Sequence, residues 1–152
     1  MRCAIRSIAI AATLVALYSC GRSEERASFL VPDSKATVFV ARDSVHAFLA
    51  EYERRALVEL DGISSGHQQL FPDTGGDSRT NLYQLDARKV LLRDADASYT
   101  IDLSSGRITK DAIRQKANGR FLGSFDTDDS HTWRFIPASE RRELPTEFRG
   151  CL

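Results

Sequence analysis

Three histidines and a few aspartates are the side chains whose types could support catalysis or metal binding. His67 lies close to Asp73 and Asp77 along the chain, and together with His131 they supply the groups of a zinc or hydrolytic site. No HExxH or paired-cysteine motif accompanies them, and 64–67 lacks the Gly-x-Ser-x-Gly spacing of a hydrolase nucleophile. The sequence therefore predicts no catalytic residue, no metal site and no cofactor.

Two acidic runs have the oxygen atoms of a cation site but the composition of turns. Asp94 and Asp96 could open a calcium loop. Such a loop needs glycine at its sixth position and glutamate at its twelfth, where this chain has Tyr99 and Ser105. Aspartate is also a favoured turn residue, because its side chain bonds the nearby backbone. Both this run and the one at 126–129 are therefore predicted to be turns between strands.

The first twenty residues have the pattern of an export signal. Two arginines precede an apolar run, 8–17, whose helix would span about 15 Å, half of a bilayer core of about 30 Å. The run therefore predicts a signal segment and not a membrane-spanning helix. It ends in Leu17-Tyr18-Ser19-Cys20, which resembles the lipobox of bacterial lipoproteins. This resemblance implies a signal peptide over 1–19 and acylation of Cys20.

A lipidated Cys20 would hold the protein on a membrane without a transmembrane helix, because two or more acyl chains anchor stably. Gly21 is not the aspartate that retains lipoproteins at the inner membrane, so the resemblance favours the outer membrane and a position facing the periplasm. Residues 20–35 are then expected to be the lipidated cysteine and a tether, in which 21–28 is polar and Phe29-Leu30-Val31 docks on the domain as a first strand or hook. Residues 36–152 are expected to be a single globular domain. Cys151 would be the one remaining thiol, either incidental or paired with another chain.

The first half of the expected domain contains a helical pattern. Thr37–Val40 is rich in β-branched residues and predicts a strand. Asp43 and Ser44 then supply N-cap oxygens, and Asp61-Gly62 provides a later break. Between them lies one apolar helical face: Val45, Phe48, Leu49, Tyr52 and Ala56. A helix over 44–57 follows, which either ends there or merges into a strand over 56–60. The predicted fold is α+β, with one main helix packed on a meandering antiparallel β-sheet.

The second half of the chain has the alternating apolar pattern and the turn residues of antiparallel strands. Strands are predicted at 82–85, 89–92, 99–103, 121–125 and 132–136. The segment 109–117 leaves two alternatives open. It is either a short helix that ends at Asn118-Gly119, or a strand that leads into a type I′ hairpin turn at those two residues.

The stretch 64–80 is predicted to be the longest loop of the domain, because it is rich in glycine, serine, aspartate and proline. A loop of this length in a compact domain is either functional or disordered. We therefore expect it to be the surface that binds a partner, through a mixture of aromatic and charged side chains: His67, Phe71, Asp73, Asp77 and Arg79.

The overall composition favours a binding protein over an enzyme. The chain has 21 basic and 21 acidic residues with no basic stripe, so it is not expected to bind nucleic acid. The hypothesis is a non-enzymatic, lipid-anchored periplasmic binding protein, held on the membrane by Cys20 and engaging a protein partner. Small anchored inhibitors and immunity proteins have this outline, which is an analogy of class and not of motif.

Two other hypotheses remain open from the sequence. The first is an accessory subunit of an envelope assembly or transport complex, which would co-purify with membrane subunits. The second is a small hydrolase, in which replacing His67 or His131 with alanine would abolish activity without unfolding the protein.

Overall fold

The computed structural model describes residues 24–46, 49, 51–73 and 79–146. Within these ranges every regular element is a β-strand. The ten strands are β1 Glu25–Leu30, β2 Ala36–Ser44, β3 Tyr52–Leu60, β4 Ile63–Gln69, β5 Thr80–Gln84, β6 Lys89–Arg93, β7 Ser98–Asp102, β8 Ile108–Lys110, β9 Arg120–Thr127 and β10 Trp133–Pro137.

The strands form two antiparallel sheets. Sheet A is a meander in the order β1-β2-β3-β4. Sheet B has the order β10-β9-β5-β6-β7-β8, because the chain leaves β8 and returns to pair β9 with β5. The β9–β10 hairpin then extends sheet B on that side. As a result, β1 and β10 are edge strands of different sheets.

The core lies between the sheets and is built by alternation along each strand. Val38 and Val40 of β2 lie opposite Val58 and Ala56 of β3, and all four side chains are buried. Alternate residues of a strand point to opposite faces, so this period-two pattern places one row of each strand in the core. Sheet B contributes Leu82, Val90, Leu92, Tyr99, Ile101 and Phe125 to the same cluster.

The two sheets approach each other along both edges. On one side, Phe29 of β1 stacks on Phe135 of β10 with ring centroids 4.1 Å apart. On the other side β4 meets β8, where a side chain at Gly66 would collide with the carbonyl oxygen of Gly106. Gly106 itself has φ of +70°, a conformation that favours glycine. One edge is thus joined by aromatic side chains and the other by close backbone approach.

The predicted α+β fold is wrong, because the described part of the chain is all-β. The predicted helix 44–57 falls on the last residue of β2, the connection after it and the first residues of β3. Within β3 the buried residues are Arg54, Ala56 and Val58, which is the period of a strand. The helical spacing was real, but pairing with β2 on one side and β4 on the other overrides such a local preference.

The strand predictions in the second half are confirmed, since β5, β6, β7, β9 and β10 cover those stretches. The break at Asp61-Gly62 is also confirmed. It is the two-residue turn of the β3–β4 hairpin, with φ of 50° and 77° as in a type I′ turn. The segment 109–117 is neither a helix nor a hairpin arm, because β8 ends at Lys110 and 111–119 is irregular.

The predicted loop 64–80 is wrong in its first half, which is strand β4. Its polar side chains are compatible with an edge strand that has one solvated face. The N-terminal part of the fold also begins earlier than expected. β1 starts at Glu25, inside the segment 20–35 that was assigned to the tether. The signal segment, Cys20 and Cys151 lie outside the described residues.

The outer face of sheet B is covered by the segment that follows β10. Arg79 and Arg141 both bind the Oδ2 atom of Asp126, at 2.9 and 2.6 Å. The hydroxyl of Tyr83 donates to a carboxylate oxygen of Glu143 at 2.8 Å. This polar network holds the segment in place and leaves the opposite face of sheet B for the core.

Candidate functional site

The residues predicted to form a partner-binding loop are dispersed over the fold. His67 is exposed on β4, at one edge of sheet A. The backbone of Asp73 pairs with the start of β3. Arg79 binds Asp126 on the outer face of sheet B. Phe71 lies beside Asp73 with its ring partly exposed, and Asp77 lies outside the described residues.

The histidines of the hydrolase hypothesis are also far apart in the fold. His67 is on β4, whereas His131 is in the turn that leads into β10, and β10 lies beside β1. Three strand spacings separate β4 from β1, or about 14 Å at 4.7–4.9 Å each. Among the described residues, no group of three or more histidine, cysteine, aspartate or glutamate side chains could hold a metal ion.

A groove of about 470 Å³ lies where β1 meets β10. Its base is aromatic and consists of Phe29, Phe135 and Trp133. Arg26 of β1 and Arg134 of β10 stand along its two rims. This surface, called the β1–β10 groove below, combines the aromatic and arginine side chains that dominate the energetics of protein interfaces.

The β1–β10 groove is too narrow to take another strand between its walls. Cα atoms of β1 and β10 approach within 8 Å of each other. A strand inserted between them would need about 9.5 Å, because hydrogen-bonded strands lie 4.7–4.9 Å apart. A bound segment would therefore lie over the groove and insert side chains into it.

The base of the groove is held rigid by the core. Besides stacking on Phe29, the ring of Phe135 meets the ring of Phe125 edge-on, with centroids 5.0 Å apart. Phe125 is fully buried in the core cluster. The ring of Trp133 is fixed by its Nε1–H, which donates to the carbonyl oxygen of Val40 at 3.0 Å. These contacts fix the orientation of the aromatic rings.

Both rim arginines are placed by carboxylates. Arg26 binds Glu59 at 2.9 Å, and Arg134 binds Asp128 at 2.7 Å. The pKa of Asp128 is held below its usual range by the backbone N–H of Thr132 and then by Arg134. The Arg26 guanidinium also lies 3.8 Å from the ring centroid of Phe39 on β2, and Arg134 also binds Glu140 at 2.8 Å. Both guanidinium groups are therefore engaged by the protein itself.

A buried arginine lies next to the groove, at the end where β10 begins. The guanidinium carbon of Arg42 lies 4.3 Å from the ring centroid of Tyr52 and 4.5 Å from that of Trp133. Its Nε donates to Glu25 at 2.7 Å and its Nη1 to the hydroxyl of Thr127 at 3.0 Å. Arg42 thus connects both sheets and supports the Trp133 ring from behind.

A second buried arginine, Arg54, is the cross-strand neighbour of Arg42. Its Nη1 donates to the hydroxyl of Thr80 at 2.9 Å and its Nη2 to the carbonyl oxygen of Phe71 at 2.8 Å. Its Nη2 also lies 3.5 Å from Oδ2 of Asp94, and only 1% of that aspartate side chain is exposed. Arg54 is therefore part of an ion pair inside the sandwich.

Burial changes the acidity of the groups around Arg54. It raises the pKa of Asp94, an effect that the positive charge of Arg54 opposes. It also raises the pKa of Tyr99 to about 12, and the negative charge of Asp94 adds to that shift. The Tyr99 hydroxyl accepts a hydrogen bond from the backbone N–H of Phe71 at 2.8 Å. This set ties the segment after β4 to sheet B.

Sequence reasoning missed both buried arginines, because arginine is almost never fully buried unless it is paired. Their positions did carry a signal. Arg42 continues the inward-facing series of Val38 and Val40, and Arg54 precedes the inward-facing Ala56 and Val58 by the same spacing. The β1–β10 groove had no such signal, because it depends on the pairing order of distant strands.

The chain matches no protein-family model, and no curated protein or solved structure is significantly similar to it. In the described ranges, no helix has the length and apolar character that crossing a membrane requires.

Proposed function

We propose that this protein is a lipid-anchored binding protein of the bacterial periplasm, which holds a segment of a protein partner against the β1–β10 groove. The observation that carries the proposal is the rigid aromatic base of the groove between two arginine-bearing rims. The N-terminal pattern that ends at Cys20 supports the anchored location.

The chemistry of the groove suggests the kind of segment that it would bind. Phe29 and Phe135 are partly buried and offer apolar ring surface to an aliphatic or aromatic side chain, whereas Trp133 is buried. Arg26 and Arg134 also line the groove, but both are already paired with carboxylates of this chain. The fitting partner is therefore a protein loop with an apolar residue at its tip.

An inhibitor or immunity-type role is the biological form of this proposal that the sequence favours. Such a protein covers a loop of a soluble hydrolase or toxin and does no chemistry itself. An accessory subunit of an envelope complex would use the same groove on a membrane-embedded partner. The identity of the captured protein separates these two roles.

A photo-cross-linking experiment with a matched control tests the proposal. A photoreactive amino acid replaces Ser28, an exposed residue of β1 that lines the groove. The control carries it at Ser64, an exposed serine on β4 at the far edge of the same sheet. After irradiation of intact envelopes, mass spectrometry should find a partner cross-linked from position 28 and not from 64. Equal cross-linking at both positions, or none at either, would overturn the groove as the binding site.

A blocking substitution gives a second test that does not need the partner to be cross-linked. Ser28→Trp fills the groove, and Ser64→Trp adds the same bulk to the other edge strand. We expect only Ser28→Trp to abolish co-purification of the partner, while both variants keep the thermal stability of the original protein. Loss of binding in Ser64→Trp alone would place the interface on the opposite side of sheet A.

A further inference from the structure

The described chain enters the sandwich at one of its two ends. β1 begins at the same end at which β2 runs out and β3 starts, because Glu25 lies opposite Arg42 and Ser44 opposite Tyr52. We call this end, with the connection 45–51 and the segment 70–73 that follows β4, the anchor end. The turns at 31–35 and 61–62 lie at the other end, here called the far end.

The anchor end is held close to Cys20 by the length of the chain. Only residues 21–24 lie between Cys20 and β1. Four fully extended residues span at most about 14 Å, at 3.3–3.6 Å each. If Cys20 carries the lipid, this end of the sandwich must lie near the membrane surface, whereas the far end is a further strand length away.

Apolar side chains are exposed at the anchor end. Leu49, in the connection between β2 and β3, is 57% exposed, and Phe71 is 39% exposed. Leucine and aromatic residues are the side chains that insert at the boundary between lipid headgroups and acyl chains.

Several carboxylates at the anchor end are paired with basic side chains. Glu24 and Asp43 both bind Arg55, and Glu25 binds Arg42. Glu51 lies 3.5 Å from Nε2 of His46, whereas Glu53 is exposed. Pairing reduces the repulsion that these groups would otherwise exert on anionic lipids. No cluster of unpaired basic residues is apparent there among the described residues, so the contact does not depend on anionic lipid.

We propose that Leu49 and Phe71 form a second membrane contact, which inserts into the interfacial region of the bilayer that carries the Cys20 lipid. The inference rests on the proposed lipid anchor and adds an orientation to it. In this orientation the anchor end of the sandwich faces the bilayer. The β1–β10 groove runs along β1 from the anchor end toward the far end, so it stays open at the side to a periplasmic partner.

Depth-dependent fluorescence quenching tests this contact in the acylated protein. A single cysteine at Leu49→Cys or Phe71→Cys, in a Cys151→Ser background, carries an environment-sensitive dye. The controls are Leu30→Cys and Ile63→Cys at the far end, which are 62% and 70% exposed and so offer equal or greater apolar surface. The protein is reconstituted in phosphatidylcholine and phosphatidylethanolamine vesicles that contain a doxyl-labelled lipid.

We expect blue-shifted emission and at least twofold quenching at positions 49 and 71, and neither effect at 30 and 63. Equal behaviour at all four positions would overturn the contact, as would quenching at the far end alone. A shift at 49 and 71 that appears only when a periplasmic partner is added would also overturn it, because the occupant would then be a protein.

Failure of this contact can be told apart from failure of the anchor or of the groove. Mass spectrometry of the Cys20 peptide reports acylation directly, and cross-linking from position 28 reports groove binding. An additional variant, Leu49→Asp, should weaken vesicle association of the unacylated Cys20→Ala protein several-fold, whereas Ile63→Asp should not. Equal association of these two variants with vesicles would contradict the proposal.

Discussion

Arg42 and Arg54 are neighbours on adjacent strands, yet the protein neutralises them in different ways. Arg42 lies between two aromatic rings at the border of the core, and its carboxylate partner Glu25 is 40% exposed. Arg54 lies inside the sandwich beside Asp94, with both side chains almost fully buried. One arginine thus keeps contact with solvent through its partner, and the other does not.

This difference shows what each arginine contributes. An ion pair with an exposed member is screened by water and salt, so Arg42 acts mainly through packing and hydrogen bonds. A fully buried pair is costly to form and more costly to break, because the remaining charge has no water to solvate it. We therefore expect Arg54 to matter for folding and Arg42 to matter for the shape of the groove.

Arg54→Ala has the largest expected effect. It leaves Asp94 buried without its cation, and breaking such a pair costs about 3–5 kcal/mol of unfolding free energy. Urea unfolding would measure it. Arg55→Ala is the matched control on the next residue, because Arg55 is one-third exposed and binds surface carboxylates; it should cost about 0–1 kcal/mol. Equal losses would contradict the distinction between a buried and an exposed arginine.

The stability lost in Arg54→Ala should also change with pH in a defined direction. The pKa of Asp94 is already raised in the folded protein, so its ionisation opposes folding as the pH rises above its usual value of 3.8. Without Arg54 that pKa rises further. The stability difference between the original protein and Arg54→Ala should therefore shrink as the pH falls toward 4. A difference that grows on acidification would exclude Asp94 as the cause.

Tyr99→Phe removes the buried hydroxyl whose pKa responds to the charges of Asp94 and Arg54. The pKa of Tyr99 is raised from 10.0 to about 12, so its stabilising contribution is complete below pH 10 and is lost as the pH rises toward 12. Two pKa units correspond to about 2.7 kcal/mol. Alkaline unfolding curves should show the original protein losing about this much relative to Tyr99→Phe across that window. Parallel curves would contradict a buried, neutral Tyr99.

At neutral pH the Tyr99→Phe variant should have a separate cost. The backbone N–H of Phe71 loses its acceptor, which costs about 1–3 kcal/mol when the donor stays buried. The hydrogen-bond cost is constant at every pH at which Tyr99 is protonated, whereas the ionisation effect appears only above pH 10, so a single pH series separates them.

The sequence predicted the strands of sheet B better than those of sheet A, and the reason is physical. In sheet B short apolar stretches, such as the run in β6 and the alternating residues of β7, are separated by turn residues such as Asp94. In β3, by contrast, Arg54 occupies a core position and breaks the apolar alternation. Helical spacing then fitted the remaining apolar residues from Val45 to Ala56. The buried Arg54 is therefore also the reason that β3 could not be recognised as a strand from the sequence.

The candidate site could not be predicted from the sequence. The residues expected to bind a partner, such as His67 and Phe71, do not line the groove. The β1–β10 groove was not visible in the sequence, because β1 and β10 are more than one hundred residues apart and meet only through the order of both sheets. Local patterns cannot encode such a pairing, which depends on the closure of the whole core.

Arg42→Ala should have an intermediate effect on stability and a specific effect on the groove. It removes two stacking contacts and the hydrogen bonds to Glu25 and Thr127, worth together about 1–3 kcal/mol. Because Trp133 loses support from behind, its fluorescence emission should shift and partner cross-linking from position 28 should fall. An unchanged Trp133 spectrum would contradict this role.

Arg42→Lys separates the charge from the planar geometry. Lysine keeps the positive charge beside Glu25 but cannot cover two ring faces with a planar guanidinium. We expect it to recover the ion pair without restoring the emission of Trp133. Full recovery of both properties would show that charge alone is sufficient.

Glu25→Gln has the smallest expected effect and tests the comparison most directly. The Glu25–Arg42 pair has an exposed member, so its loss should cost about 0.2–1 kcal/mol, and less at 1 M salt, where the screening length is about 3 Å. The hydrogen bond to Thr127 and both stacked rings remain and continue to hold Arg42. Asp94→Asn is the matched change beside Arg54. Its effect on urea unfolding should be insensitive to salt, because bulk ions do not screen a buried pair as effectively. If both variants showed the same salt dependence, the two arginines would share one environment and the contrast between them would fail.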